Sequence, residues 1–270
     1  MAFALDTATN LTKVQEDLFA LPKDESFWNW TSAFGGWLGA ATIAALYQHQ
    51  DYRGEIVSLN VNFISAVDAE TIYFRLTIMN RKRTTDFWRV VAYDAADDGK
   101  TLFSVDIVAS QRRDHPLVYS DPMPDQKPLE ESFYVEPNPL WPRWIKHFDT
   151  HLGKGVPFTG EKNPNTVAHI KEADGRPLDV LSLVAMLDTP MPRFFFLLDG
   201  PGQSSTLSMS THIYASAEEI AATPPGAHLV LAANCAGISH SLYNQECRLF
   251  RPDGLLLATS YQTALFKVAT

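Results

Sequence analysis

The chain has 270 residues, 46% hydrophobic and 20% charged, with a formal net charge of −9, which is an ordinary globular composition long enough for one large core or two of average size. The acidic balance argues against nucleic acid as a partner, because the longest basic run is Arg81-Lys82-Arg83 and offers no phosphate track. Only Cys235 and Cys247 occur and the histidines are scattered singly, with no CxxC or HExxH spacing, so no disulfide framework, metal or cofactor is expected.

The N-terminal stretch lacks a basic start followed by an apolar core, and no apolar run approaches the roughly 18 residues of a membrane span. No membrane span is therefore expected, and the cytoplasm is the default location. After this polar lead-in, Gly35-Gly36 open a helix in which Trp37, Leu38, Ala40, Ala41, Ile43, Ala44, Ala45, Leu46 and Tyr47 leave almost no polar face, so it is surrounded rather than laid on a surface. The paired glycines allow close backbone approach. They also leave free amides at a helix N-terminus, where an anion or a developing oxyanion can be held. Tight packing under a sheet is the alternative use of the same pair.

Strand-like runs follow at 55–66, 70–80, 85–95 and 100–110, with a turn at Asp97-Asp98-Gly99 before the last. A helix followed by an antiparallel meander is α+β. From His115 to Pro142 the chain is punctuated by proline and has little periodicity, which reads as a linker. The resulting division is residues 1–113, a linker at 114–141, and residues 142–270.

The second part repeats the order. Extended runs at 144–152 and 166–173 precede a helix at 178–188, and further runs follow at 194–198, 205–215, 228–237, 241–251 and 255–267. In the helix, Val180, Leu181, Leu183, Val184, Ala185, Met186 and Leu187 are again apolar all round. Pro190 pushes Thr189 out of helical conformation, so the helix ends near Asp188, whose charge then sits at the negative end of the helix dipole. An acid held there beside a buried run has a raised pKa and is a candidate general base. An exposed turn carboxylate fits the same local sequence.

DDGKTLFSVDIVASQ (97–111) matches PDGLLLATSYQTALF (252–266), each a DG turn opening a final alternating strand. The chain therefore reads as a duplicated unit. Aligning these turns sets Gln262 against Ile107, and aligning NFISA with THIYA sets Ser208 against Leu59. The first helix offers no acid between Gly35 and Gln50 to match Asp188. Polar chemistry is thus kept in one copy, which predicts one working site per chain.

FGGWLGAA, the MLDTPMP helix end, STLSMSTHIY and PDGLLLATSYQ, in this order and spacing, resemble the double-hotdog acyl-CoA thioesterases of the type II kind. The resemblance implies two hotdog folds, each a long helix wrapped by an antiparallel sheet, joined by a linker and packed as a pseudo-dimer. It implies hydrolysis of an acyl-CoA substrate, with an Asp, a Ser or Thr and a Gln holding the hydrolytic water. By local motif these are Asp188, Ser208 and Gln262. The chain departs from the pattern where Ser210-Thr211 replaces an Asp-His pair after the hydroxyl.

A thioester carbonyl needs an oriented water that loses a proton, and a carboxylate, a hydroxyl and an amide supply those functions. GISHS at Gly237 is no nucleophile elbow, and GPGQSS at Gly200 lacks the lysine of a phosphate loop. An enoyl-thioester hydratase or dehydratase would want an acid and a histidine near one helix, which neither helix has. A binding module that has lost turnover is the remaining alternative. Because the chain is acidic, the phosphates of CoA would need local cations, and Arg81 and Arg83 form the richest cluster, with Arg112-Arg113 behind them. Gly35 and Gly36 would meet the thioester oxygen. The apolar run Phe194 to Leu198 reads as a contact surface, so a homo-oligomer is expected.

Overall fold

The computed structural model describes residues 2–97, 99–200 and 202–268. Asp98 of the expected Asp97-Asp98-Gly99 turn and Pro201 of GPGQSS lie outside them. The first half contains α1 (Ala4–Ala8), β1 (Thr12–Gln15), β2 (Leu18–Pro22), α2 (Gly35–Tyr47), β3 (Glu55–Phe63), β4 (Thr71–Arg81), β5 (Thr85–Asp94) and β6 (Lys100–Ser110). The second contains β7 (Phe133–Tyr134), β8 (Phe148–Lys154), β9 (Thr166–Glu172), α3 (Val180–Leu187), β10 (Gln203–Ile213), α4 (Ala217–Ala221), β11 (Leu229–Asn234), β12 (Ile238–Ser239), β13 (Leu242–Phe250) and β14 (Leu256–Lys267).

All strands join one antiparallel sheet in the order β1-β2-β4-β5-β6-β3-β10-β14-β13-β11-β9-β8-β7, with β12 paired to β13. The strand that follows each long helix, β3 or β10, lies at the centre, and these two strands pair with each other, Leu59 opposite Thr211 and Asn62 opposite Ser208. The sheet of the first half therefore continues into that of the second through a single seam.

Every residue of α3 is buried, as is nearly all of α2. The two helices touch where α2 carries glycine. A Cβ on Gly36 would stand 2.7 Å from the Ala185 carbonyl oxygen, and one on Gly39 would stand 2.7 Å from Val184 Cγ1. The close approach that the glycines allow is thus to the second helix rather than to a sheet, and it brings the first turn of α2 against the last turn of α3. At the other end of α3, Asp179 is the N-cap and accepts from the Ser182 amide.

Several segments differ from expectation. The lead-in is not featureless, because β2 buries Leu18, Phe19 and Leu21 and pairs with β4. The linker's end supplies β7, paired to β8. Residues Arg193–Phe196 form a 3-10 turn rather than a strand, and Phe194, Phe195 and Phe196 are buried against Tyr243 and Ala264. The run read as an oligomer surface is thus core, because Pro190 and Pro192 turn the chain inward after α3. GISHS forms the β12–β13 hairpin turn, with His240 and Ser241 both at positive φ.

Candidate active site

A cavity of about 410 Å³ opens where the two helix ends meet. Its walls draw on Phe34, Gly35 and Leu38 of the first half, Asp188 to Arg193 after α3, and Thr206, Gln245 and Gln262 of the second-half sheet. No helix is long and apolar enough to cross a membrane among the described residues.

Asp188 is the C-cap of α3, and its remaining exposure faces the cavity it lines. Burial pushes its carboxyl up to about 7, against smaller opposing pulls from the Gln262 hydrogen bond and the Gly36 backbone amide. The helix-end placement expected from sequence is met, but desolvation dominates the shift. The N-terminus of α2 faces the carboxylate and favours its charged form. A Cβ on Gly35 would come within 2.8 Å of Asp188 Oδ2, so no larger residue fits there without displacing the acid. Phe34, the N-cap of α2, brings no side-chain oxygen of its own to the first amides of that helix.

Gln262 lies on β14, where alternation buries it while Tyr261 faces outward. Its Nε2 donates to Asp188 Oδ1 at 2.8 Å and lies 3.5 Å from Met209 Sδ. Thr206 Oγ1 donates to Gln262 Oε1 at 3.4 Å. A line of contact therefore runs from Thr206 through Gln262 to Asp188.

Ser208 is not part of this line. A bulge between Thr206 and Ser208 inserts Leu207 into β10, so Thr206 pairs with Ala264 while Ser208 pairs with Thr263. Directly opposed residues share a face, which places Thr206 with buried Ala264 and Met209 with buried Gln262 on the inner side, and turns Ser208 to the other side. The hydroxyl that the local motif assigned, Ser208, is therefore not on the cavity wall, whereas Thr206 is.

Arg81 and Arg83 do not line the cavity. Arg81 donates to the Asp51 carbonyl at 2.7 Å and pairs with buried Asp86 at 3.3 Å. Asp51 lies beyond the C-terminal end of α2, and that helix is about 18 Å long at its usual rise per residue, so the cluster sits at the end away from Gly35. Arg83 is exposed near the same turn. Arg112 instead binds the Ile56, Ile213, Tyr214 and Ala215 carbonyls and ties the two halves together.

Gln245 carries no sequence signal of its own. It lies opposite Gln262 on β13, buried, with its Oε1 unpartnered and its side chain on the cavity wall. Arg193, wholly buried at the cavity wall, binds the Pro164 carbonyl at 3.0 Å and Thr166 Oγ1 at 2.9 Å, and burial pushes its guanidinium down to about 10. No histidine lines the cavity among the described residues. The free cysteines are Cys235 and Cys247.

Several solved structures resemble the chain over nearly all of its length. A hot dog fold protein from Alicyclobacillus acidocaldarius, described as a conserved protein of unknown function, is 25% identical with a TM-score of 0.93, and each chain is covered over 100%. The tesB protein of Mycobacterium avium subs paratuberculosis is 19% identical with a TM-score of 0.78 over 98% of both chains. Acyl-CoA thioesterase II TesB2 of Mycobacterium marinum is 16% identical with a TM-score of 0.77 over 99% of both. A search of curated proteins found no match. The model of the acyl-CoA thioesterase N-terminal domain matches residues 25–110 and that of the C-terminal domain matches residues 120–266. Matched over most of its length by both domains, the chain belongs to the acyl-CoA thioesterase family.

Proposed function

We propose that the protein hydrolyses an acyl-CoA thioester to a free carboxylic acid and CoA, with water activated at Asp188 and without a cofactor. The observation that carries this reading is the 2.8 Å contact of Gln262 with a buried carboxylate at the mouth of two abutting helices, inside a cavity with room for an acyl group. Asp188, with its carboxyl near 7, is poised between holding and releasing a proton at neutral pH. Gln262 keeps one of its oxygens engaged, and Thr206 fixes which way the Gln262 amide points. Water bound between the carboxylate and the amide attacks the carbonyl carbon, and its proton passes to Asp188. The first-turn amides of α2, with Gly35 at the cavity wall, receive the developing oxyanion. The proton then leaves with the CoA thiolate as the thiol.

The same reading takes each half as one hotdog, with its long helix wrapped by its part of the sheet, and keeps 1–113 and 142–270 as the two units. The shared position of β3 and β10 beside the seam supports it. A dehydratase domain of Pseudomonas fluorescens has a related fold, at a TM-score of 0.51. The absence of histidine from the cavity wall among the described residues favours hydrolysis over dehydration.

The test is CoA release, followed with a thiol reagent, across short, medium, long and aromatic acyl-CoAs. Release by the parent and its loss in Asp188→Asn support the proposal. Full turnover by Asp188→Asn removes Asp188 as the base, and tight acyl-CoA binding without release makes the chain a binding module instead.

A further inference from the structure

Strand β8 has two faces with different chemistry. Thr150 and Leu152 point into the cavity, while Asp149 and His151 point out through the opposite side of the sheet. There they meet His228, which immediately precedes β11 two strands away, across β9. His151 Nε2 is 2.9 Å from Asp149 Oδ1 and His228 Nε2 is 3.1 Å from Asp149 Oδ2. The imidazoles stand at 87° with centroids 5.6 Å apart, and the ligand atoms of all three residues lie within 4.8 Å of one another. This is the one such group among the described residues.

We propose that Asp149, His151 and His228 form a binding site for a borderline divalent cation of the Zn²⁺ type on the outer face of the sheet. Two imidazole nitrogens and one carboxylate oxygen suit Zn²⁺, whereas Mg²⁺ and Ca²⁺ favour all-oxygen sets. With bonds of about 2.1 Å, tetrahedral ligands stand roughly 3.4 Å apart, so side-chain torsions need only draw the trio inward around the ion. The side chains are 21%, 27% and 13% exposed for His151, Asp149 and His228, open enough for entry and held by their strands. A water completes the fourth position.

Two neighbours set the limits of the site. Lys171 Nζ lies 3.5 Å from Asp149 Oδ2 and competes with the ion for that oxygen. His169, opposite His151 in register, is not a ligand because its Nε2 faces the Lys127 carbonyl at 2.8 Å. A bound ion would tie β8 to the start of β11 and stiffen the cavity wall from behind without touching Asp188.

The experiment titrates the chelator-stripped full chain with Zn²⁺ in a calorimeter at neutral pH, with Mg²⁺ in parallel. Binding of Zn²⁺ and not Mg²⁺ is expected, together with the visible absorption of four-coordinate Co²⁺ and a rise in melting temperature on adding Zn²⁺. His151→Ala and His228→Ala should each weaken binding at least about tenfold, and Lys171→Met should strengthen it. His240→Ala, at the exposed hairpin turn, should change nothing. Failure of the parent to bind Zn²⁺, or affinity unchanged from the parent's in both cluster variants, would overturn the site and leave the trio a hydrogen-bonded network.

Discussion

Gln262 donates to Asp188 at 2.8 Å across 74 residues of chain, and that bond joins the last strand of the sheet to the end of a buried helix. The carboxylate is thereby held in one orientation before substrate arrives. Asp188→Asn should lower kcat by about 10² to 10⁴ while acyl-CoA binding, measured directly, changes little. Loss of binding in step with loss of turnover would mean that Asp188 shapes the pocket instead.

The pH dependence follows from the same carboxyl. As a base, Asp188 works only when ionised, so kcat/KM should rise with pH through a midpoint near its value of about 7. Stability should move the other way. The folded carboxyl sits above its ordinary 3.8, so the folded state holds the proton more tightly and loses stability as pH rises from 3.8 to about 7. Glu172, raised by burial from 4.5 to about 7, adds the same sign. In Asp188→Asn the melting temperature at pH 8 should exceed the parent's by about 2 °C or more, and the difference should vanish near pH 4. A parent whose stability climbs steadily from pH 4 to pH 8 would contradict both assignments.

The bulge at Leu207 separates two hydroxyls that look alike in sequence. Thr206→Val removes the donor to Gln262 Oε1 and should cost about tenfold in kcat/KM, the worth of one hydrogen bond. Ser208→Ala should stay within about twofold. The reverse ranking would show that the inner face of β10 is assigned wrongly.

Gly36 tests the helix contact. A methyl group there meets the Ala185 carbonyl at 2.7 Å and the Phe34 ring at 2.6 Å, and the backbone oxygen cannot swing away. Gly36→Ala should destabilise by about 1 to 3 kcal/mol, read from denaturant unfolding, and should lower activity in the surviving fold. An unchanged unfolding midpoint would show that the helices separate freely.

Arg81→Ala should leave the KM for acyl-CoA within about twofold, since Arg81 serves buried Asp86 together with Arg53. Its cost should appear in stability, on the order of 1 kcal/mol, modest because the Arg81 side chain is partly solvated. A rise in KM at constant stability, mimicked by salt, would return Arg81 to the substrate.

Apolar periodicity made the two buried helices legible, and Pro190 marked where the second one ends, so Asp188 could be placed from sequence. The local motif reached Gln262 because the register of β14 against β13 is regular from Ala258 through Leu265. Thr206 was not legible, because a bulge is set by pairing with β14 and leaves no local mark in STLSMS. Arg81 misled because a basic run shows charge but not the buried Asp86 that consumes it. The Phe194–Phe196 run misled in the opposite sense, since apolar residues after a helix look exposed until the turn that folds them under Tyr243 is known.

The seam between β3 and β10 joins halves that arrive on one polypeptide. Two separate chains meeting through the same strands would part on dilution, but tethered halves see each other at an effective concentration in the millimolar range for short linkers. The Gly35 amide and the acid of Asp188, contributed by different halves, therefore stay together at whatever protein concentration the assay uses. Specific activity should be flat from micromolar to nanomolar protein, and an active-site titrant should saturate at one equivalent per chain.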